Sequence, residues 1–188
     1  MSKKEETLPV VEGYVAEQKT ISLVWGNVLA VLLIALAAAV GFALMCVLWG
    51  GIHFNPMGML LFSAGMLIGI VVHELVHGIT WLVMLKKSFS HLSFGFMKGC
   101  AYCHIDVPME KRSYVVGALM PLLLTGLLPW LAGIVANSWV WMMIGAVMIG
   151  GAAGDIMIVR ALRHEASSTL VYDHPSDIGC YVYHKEQP

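Results

Sequence analysis

Long apolar runs separated by short polar breaks dominate this chain. A helix needs about 20 mostly apolar residues to cross a bilayer. Four runs qualify: Ile21 to Trp49, Met57 to Leu85, Tyr114 to Ile134 and Trp139 to Val159. Gly50-Gly51 and Asn55-Pro56 punctuate the first connection, and Asn137-Ser138 the third. The first two runs are long enough to tilt or to extend past the hydrocarbon. Ala35 to Ala39 has the small-residue look of a signal cleavage site, but a signal core is about 7–15 residues and this run continues to Trp49, so the first span is read as retained.

Between the second and third runs the period changes from helical to two. Leu92, Phe94 and Phe96 alternate with Ser93 and Gly95, and Ala101, Cys103, Ile105 and Val107 alternate with Tyr102, His104 and Asp106. That pattern predicts a β-hairpin over 88–110, turning at Lys98-Gly99. Beyond Arg160 the tail reads as partly helical, then turns at Asp173-His174-Pro175-Ser176-Asp177 before a short strand from Ile178 to Tyr183. The first 20 residues are polar and are expected to be loosely ordered. The expected architecture is an all-α integral membrane protein of about four transmembrane helices, with a small hairpin and a short tail. It divides into a polar segment 1–20, a transmembrane domain 21–165 and a tail 166–188.

Composition narrows the function classes. Hydrophobic residues make up 59% and charged residues 12%, against about 45–50% and about 25% in soluble domains. A soluble enzyme and a disordered chain are both excluded. A net charge of -1 offers no basic surface for nucleic acid, and four cysteines are too few for a disulfide scaffold. All 11 Lys and Arg residues fall in the N-terminal segment, in 86–112 or in the tail. The positive-inside rule then places both termini and the hairpin in the cytoplasm, as a multi-pass protein of the cell membrane.

Two acids stand where lipid disfavours them. Glu74 is the only Asp, Glu, Lys or Arg among the 66 residues between Lys19 and Lys86, and Asp155 the only one among the 47 between Arg112 and Arg160. Ionisable groups at membrane depth generally mark function. Glu74 lies in His73-Glu74-Leu75-Val76-His77. Four residues apart on a helix, His73 and His77 share a face and can hold one metal ion, while Glu74 can reach a water on it. Imidazole donors suit zinc, which at catalytic sites takes three protein ligands and keeps one position open. Asp155 is the best third ligand, because the second and fourth spans run in the same direction and bring it to a similar depth. His104, Asp106 and His164 are rivals in the predicted cytoplasmic parts. A salt bridge or proton relay is the alternative role for Asp155. Gly65 and Gly69 precede the histidines on their face, and Gly150, Gly151 and Gly154 surround Asp155, so close helix approach is expected.

His73–Gly78 (HELVHG), Ala101–His104 (AYCH), Gly117–Pro129 (GALMPLLLTGLLP), Gly154–Ile156 (GDI) and Asp173–Val182 (DHPSDIGCYV) together resemble a family of bacterial membrane proteins. It is the domain of unknown function 3267, described as putative zincin peptidases. The resemblance covers roughly Met57 to Tyr183. More distantly the arrangement is similar to the site-2 proteases, which cut peptide bonds in or near the membrane. That resemblance implies zinc on His73, His77 and Asp155, with Glu74 as the catalytic acid-base. Here Gly154 precedes Asp155, whereas site-2 proteases place the glycine after the aspartate, and their Asn-x-x-Pro element is absent.

Other motifs read more plainly. Cys100-Ala101-Tyr102-Cys103-His104 matches a c-type haem attachment string, but its cytoplasmic placement argues against that use. A thiol pair for zinc or redox work is a second reading, and a hairpin near the active site is the plain one. Asp173, His174 and Asp177 are expected to cap a turn rather than form a surface metal site. Cys46 and Cys180 are expected to be buried, and His53 to be interfacial. The function expected is an intramembrane zinc metallopeptidase whose partners are the lipid bilayer and a peptide or transmembrane-protein substrate. The alternatives are a non-catalytic membrane scaffold or binding protein with a structural or vestigial metal site, and an ion or metal transporter relaying through Glu74 and Asp155. Oligomeric state is not legible.

Overall fold

A computed structural model describes residues 8–97, 99–175 and 177–186. Lys98 of the expected hairpin turn and Ser176 of the expected tail turn lie outside the described residues. Four helical segments are long and apolar enough to cross a membrane: Leu23–Trp49, Pro56–Leu85, Lys111–Val135 and Trp139–Ala161. The first two are single helices, α1 (Leu23–Trp49) and α2 (Pro56–Leu85). Local chemistry sets their ends. Gly50 closes α1 in the left-handed region at φ 73°, its N–H donating to the Cys46 carbonyl. The Asn55 side chain caps α2 by accepting from the Gly58 N–H at 2.6 Å, with Pro56 at the first helical position.

The other two spans are broken. The third runs as α3 (Lys111–Pro121), a π turn (Leu122–Leu127) and α4 (Leu128–Val135). Pro121 and Pro129 bracket the π turn, and neither can donate to the helical ladder. The fourth runs as α5 (Trp139–Gly151) and α6 (Ala153–Ala161), interrupted at Ala152, whose ψ is 7°. This fourth span is central. Half of its most apolar window is buried, against 17% for the first span. It packs against all three others, whereas α1 stands at the edge of the bundle. Val31, Leu32, Leu36 and Val47 of α1 are exposed, as a helix facing lipid requires.

The strands gather at one end of the bundle, where α1 and α3 begin and α2 and α6 end. The strands β2 (Leu92–Met97) and β3 (Cys100–Ile105) form the expected hairpin, with Phe94 opposite Cys103. A second, antiparallel sheet contains β1 (Tyr14–Thr20), β4 (Met109–Glu110), β5 (Leu170–Asp173) and β6 (Gly179–Lys185), in the order β1-β6-β5-β4. Ile105, Met109, Tyr114, Leu162, Val171 and Val182 are buried beneath it and join sheet, hairpin and helix ends in one core.

Three expectations are corrected. The N-terminal segment is not loose throughout, because Tyr14–Thr20 pairs with β6 from Tyr14↔Lys185 to Thr20↔Gly179. The tail is strand rather than helix: α6 ends at Ala161, and β5 supplies a strand that was not anticipated. β1 and β6 lie at opposite ends of the chain, so no local pattern announces their pairing, whereas β5 folds back on β6 across the turn that follows Asp173. Cys46 is exposed, although Cys180 is buried as expected.

Candidate metal centre

His73 and His77 sit one turn apart on α2 and are both buried. Their Nε2 atoms lie 3.4 Å and 3.5 Å from Oδ2 and Oδ1 of Asp155 on α6. One ligand atom from each of the three residues lies within 4.8 Å of the others. Atoms bound at about 2.0–2.1 Å to a tetrahedral zinc lie about 3.4 Å apart, so the spacing suits a shared ion.

The outer ring nitrogens reinforce that fit. His77 Nδ1 donates to the Gly117 carbonyl at 2.9 Å. His73 Nδ1 donates to Thr125 Oγ1 at 3.3 Å, and the Thr125 hydroxyl in turn donates to the Pro121 carbonyl at 2.8 Å. With both Nδ1 atoms donating, Nε2 is the atom that each ring turns toward the carboxylate. Nε2 is the nitrogen placed to bind an ion, and hydrogen bonds at the far nitrogen are the usual support for metal-bound histidine. Thr125 stands inside the π turn, where the widened helix brings its hydroxyl to the His73 ring. Gly117 is required by packing, since a Cβ there would collide with the Trp81 indole. That indole donates to the Tyr114 carbonyl at 3.2 Å and stacks on the His77 ring at 5.5 Å.

Glu74 is half-buried beside the triad and takes a hydrogen bond from the Cys103 backbone N–H of β3. Groups of one strand alternate between its two edges. If Cys103 turns its N–H away from β2, Ala101 turns its backbone groups the same way. The outer edge of β3 therefore faces a cavity of about 320 Å3 that His73, Glu74, His77 and Asp155 also line.

The rival ligands lie elsewhere. His104 Nδ1 donates to Asp173 at 3.0 Å, Asp106 pairs with His91 at 2.7 Å, and His164 accepts from Arg163 at 2.8 Å. Cys100 and Cys103 stand three apart on a strand and so point to opposite faces, which separates the two thiols. Burial, with help from the charges of Glu74 and Asp173, pushes the Cys103 thiol up to about 12.

The tail holds residues whose place the sequence did not reveal. His174 is buried, accepts from the Asp177 N–H at 2.8 Å and stacks on Tyr181 at 4.8 Å. The Asp177 carboxylate accepts from the Ile178 N–H at 2.8 Å. These residues do cap a turn, yet Asp173, His174 and Asp177 also line the cavity rather than the outer surface. Asp173 accepts from the Tyr114 hydroxyl at 2.9 Å as well as from His104, tying tail, hairpin and third span together.

The glycines divide by use. Gly65 and Gly69 lie against Ile144 and Met148 of α5, as their spacing suggested. Gly150 approaches α1 rather than α2, meeting Ile34 and the Ala30 carbonyl. Gly151 and Gly154 approach no neighbour closely.

No curated protein and no solved structure matches this chain. The profile of one family does, over residues 66–170, which span His73, Glu74, His77, both broken helices and Asp155. The chain belongs to that family, domain of unknown function 3267, described as "putative zincin peptidase".

Proposed function

We propose that this protein is a zinc metallopeptidase that cleaves peptide segments at the cytoplasmic boundary of the membrane. The observation that carries the reading is the convergence of two helix imidazoles, one carboxylate and a neighbouring glutamate on a single cavity bordered by a strand edge. Its orientation rests on the Lys and Arg pattern, which favours the cytoplasm for the end that bears the strands.

His73, His77 and Asp155 would hold the ion, with the Gly117 carbonyl and the Thr125 hydroxyl fixing the two rings. Zinc so held supplies Lewis acidity, toward a water and toward a carbonyl oxygen. Glu74 would take a proton from the attacking water as its oxygen bonds to the peptide carbon. It would return that proton to the amide nitrogen as the C–N bond breaks, leaving a carboxylic acid and an amine. The Cys103 N–H steadies Glu74 in that role. A helical substrate must first unwind to expose its backbone. The outer edge of β3 around Ala101 offers groups that are unpaired among the described residues, to which an extended segment can add as a strand. Ala101→Pro removes one edge donor without touching the β2 pairing, and should cut cleavage while leaving zinc in place.

The decisive experiment compares new protein termini in cells that express the wild type or Glu74→Gln, with zinc content measured on the purified proteins. The reading expects termini that appear with the wild type and vanish with Glu74→Gln, at equal zinc. Identical termini at equal zinc would favour the scaffold reading.

A further inference from the structure

α1 contributes neither a metal ligand nor Glu74, yet it walls the same cavity. Of its 27 residues only Asn27 carries an amide, a hydroxyl or a charge. A lone amide in a lipid-facing helix is unfavourable unless it finds a partner. Asn27 is exposed, and among the described residues nothing hydrogen-bonds its side chain. It lines the same cavity as Glu74 and Asp155. A Cβ on the adjacent Gly26 would lie 4.0 Å from Met157 Sδ, so this turn of α1 packs beside α6. The space next to it is open as well. A Cβ on Gly151 would meet nothing within 4 Å, and one on Gly154 only Ile21 at 3.9 Å.

We propose that Asn27 binds the main chain of the substrate, holding an extended peptide in the cavity between α1 and the outer edge of β3. This rests on the metallopeptidase reading and adds to it a substrate-binding residue on an element outside the metal centre. The chemistry selects that ligand. A carboxamide donates and accepts at once, and an extended backbone presents N–H and C=O groups in alternation. β3 can pair with one edge of such a segment, and Asn27 serves groups that β3 leaves unpaired. A side chain that only anchored α1 to lipid headgroups would do none of this.

Two probes separate these cases on zinc-loaded protein in nanodiscs. Acetohydroxamate reports on the metal alone, whereas a tripeptidyl hydroxamate adds a backbone. Asn27→Leu should weaken the tripeptidyl probe by about five- to tenfold, the cost of a lost hydrogen bond, and leave acetohydroxamate within about twofold. Asn27→Gln, which keeps the carboxamide, should recover part of the loss. Equal affinity of Asn27→Leu and wild type for the tripeptidyl probe would overturn the proposal and point to a lipid contact. Equal weakening of both probes would overturn it too, as damage to the centre itself. Wild type that binds neither probe would instead remove the metal reading on which the proposal stands.

Discussion

The two halves of the fourth span use glycine in opposite ways. In α5, a Cβ on Gly145 would run into the Trp130 backbone, and one on Gly133 of α4 into the Met142 backbone. These glycines let α4 and α5 touch along their main chains, the usual route to close packing without a hydrophobic drive between helices. Around the break at Ala152, Gly151 and Gly154 meet nothing closer than 3.9 Å. Here the missing side chains leave room beside Asp155. One half of the span is a packed pivot and the other borders a cavity, and the change of role falls between Gly150 and Gly151, at the last residue of α5.

The largest effect that could break this contrast belongs to the packed half. Gly145→Val has to displace backbone rather than a flexible side chain. It should cost about 3 kcal/mol of stability, at the upper end for overpacking, read as a lowered midpoint in a denaturant titration. Retained stability would mean that α5 is not the pivot. A second contrast, in β3, sets exposed Cys100 against buried Cys103. With its thiol pushed up to about 12 by burial, Cys103 should react with maleimide at pH 8 more than about a hundredfold slower than Cys100, because only the thiolate attacks. Mass spectrometry of the labelled peptide checks this, and comparable rates would show the hairpin to be undocked. Thr125→Val tests the open half indirectly, since it changes the third span but acts on the ring of His73, which faces Asp155. Loss of such a supporting hydrogen bond should lower zinc affinity by about 10- to 100-fold, measured by competition with a chelating dye. Gly151→Ala should change stability by less than about 0.5 kcal/mol. A large loss there would contradict an open cavity.

Most of the bundle was legible because membrane spans announce themselves locally. Lipid cannot satisfy a backbone polar group, so each span must be a helix of sufficient length, and the four apolar runs match the helices closely at both ends. The hairpin was legible for a similar reason, its two-residue alternation and nearby turn. His73, Glu74, His77 and Asp155 stood out because charge and imidazole are rare in apolar runs. What escaped depends on distant contact. Nothing local in Tyr14–Thr20 reveals a partner at the far end of the chain, and β5, which folds back on β6 across the following turn, also pairs with distant β4. Thr125 and Asn27 escaped because a single neutral polar residue in a membrane helix is unremarkable until the helix is rotated into place. The glycines near Asp155 were legible as small but not as serving different neighbours. Spacing reports which face a residue occupies and not what stands opposite.

The central claim is that His73, His77 and Asp155 close on one ion, and zinc content tests it most directly. Wild type, His73→Ala, Asp155→Ala and the rival-ligand control Asp106→Ala can be purified in parallel and assayed by mass spectrometry of the metal. The account predicts about one zinc per chain in the wild type and in Asp106→Ala, as a single site requires, with most of it lost from the other two. Equal zinc in all four proteins would contradict it.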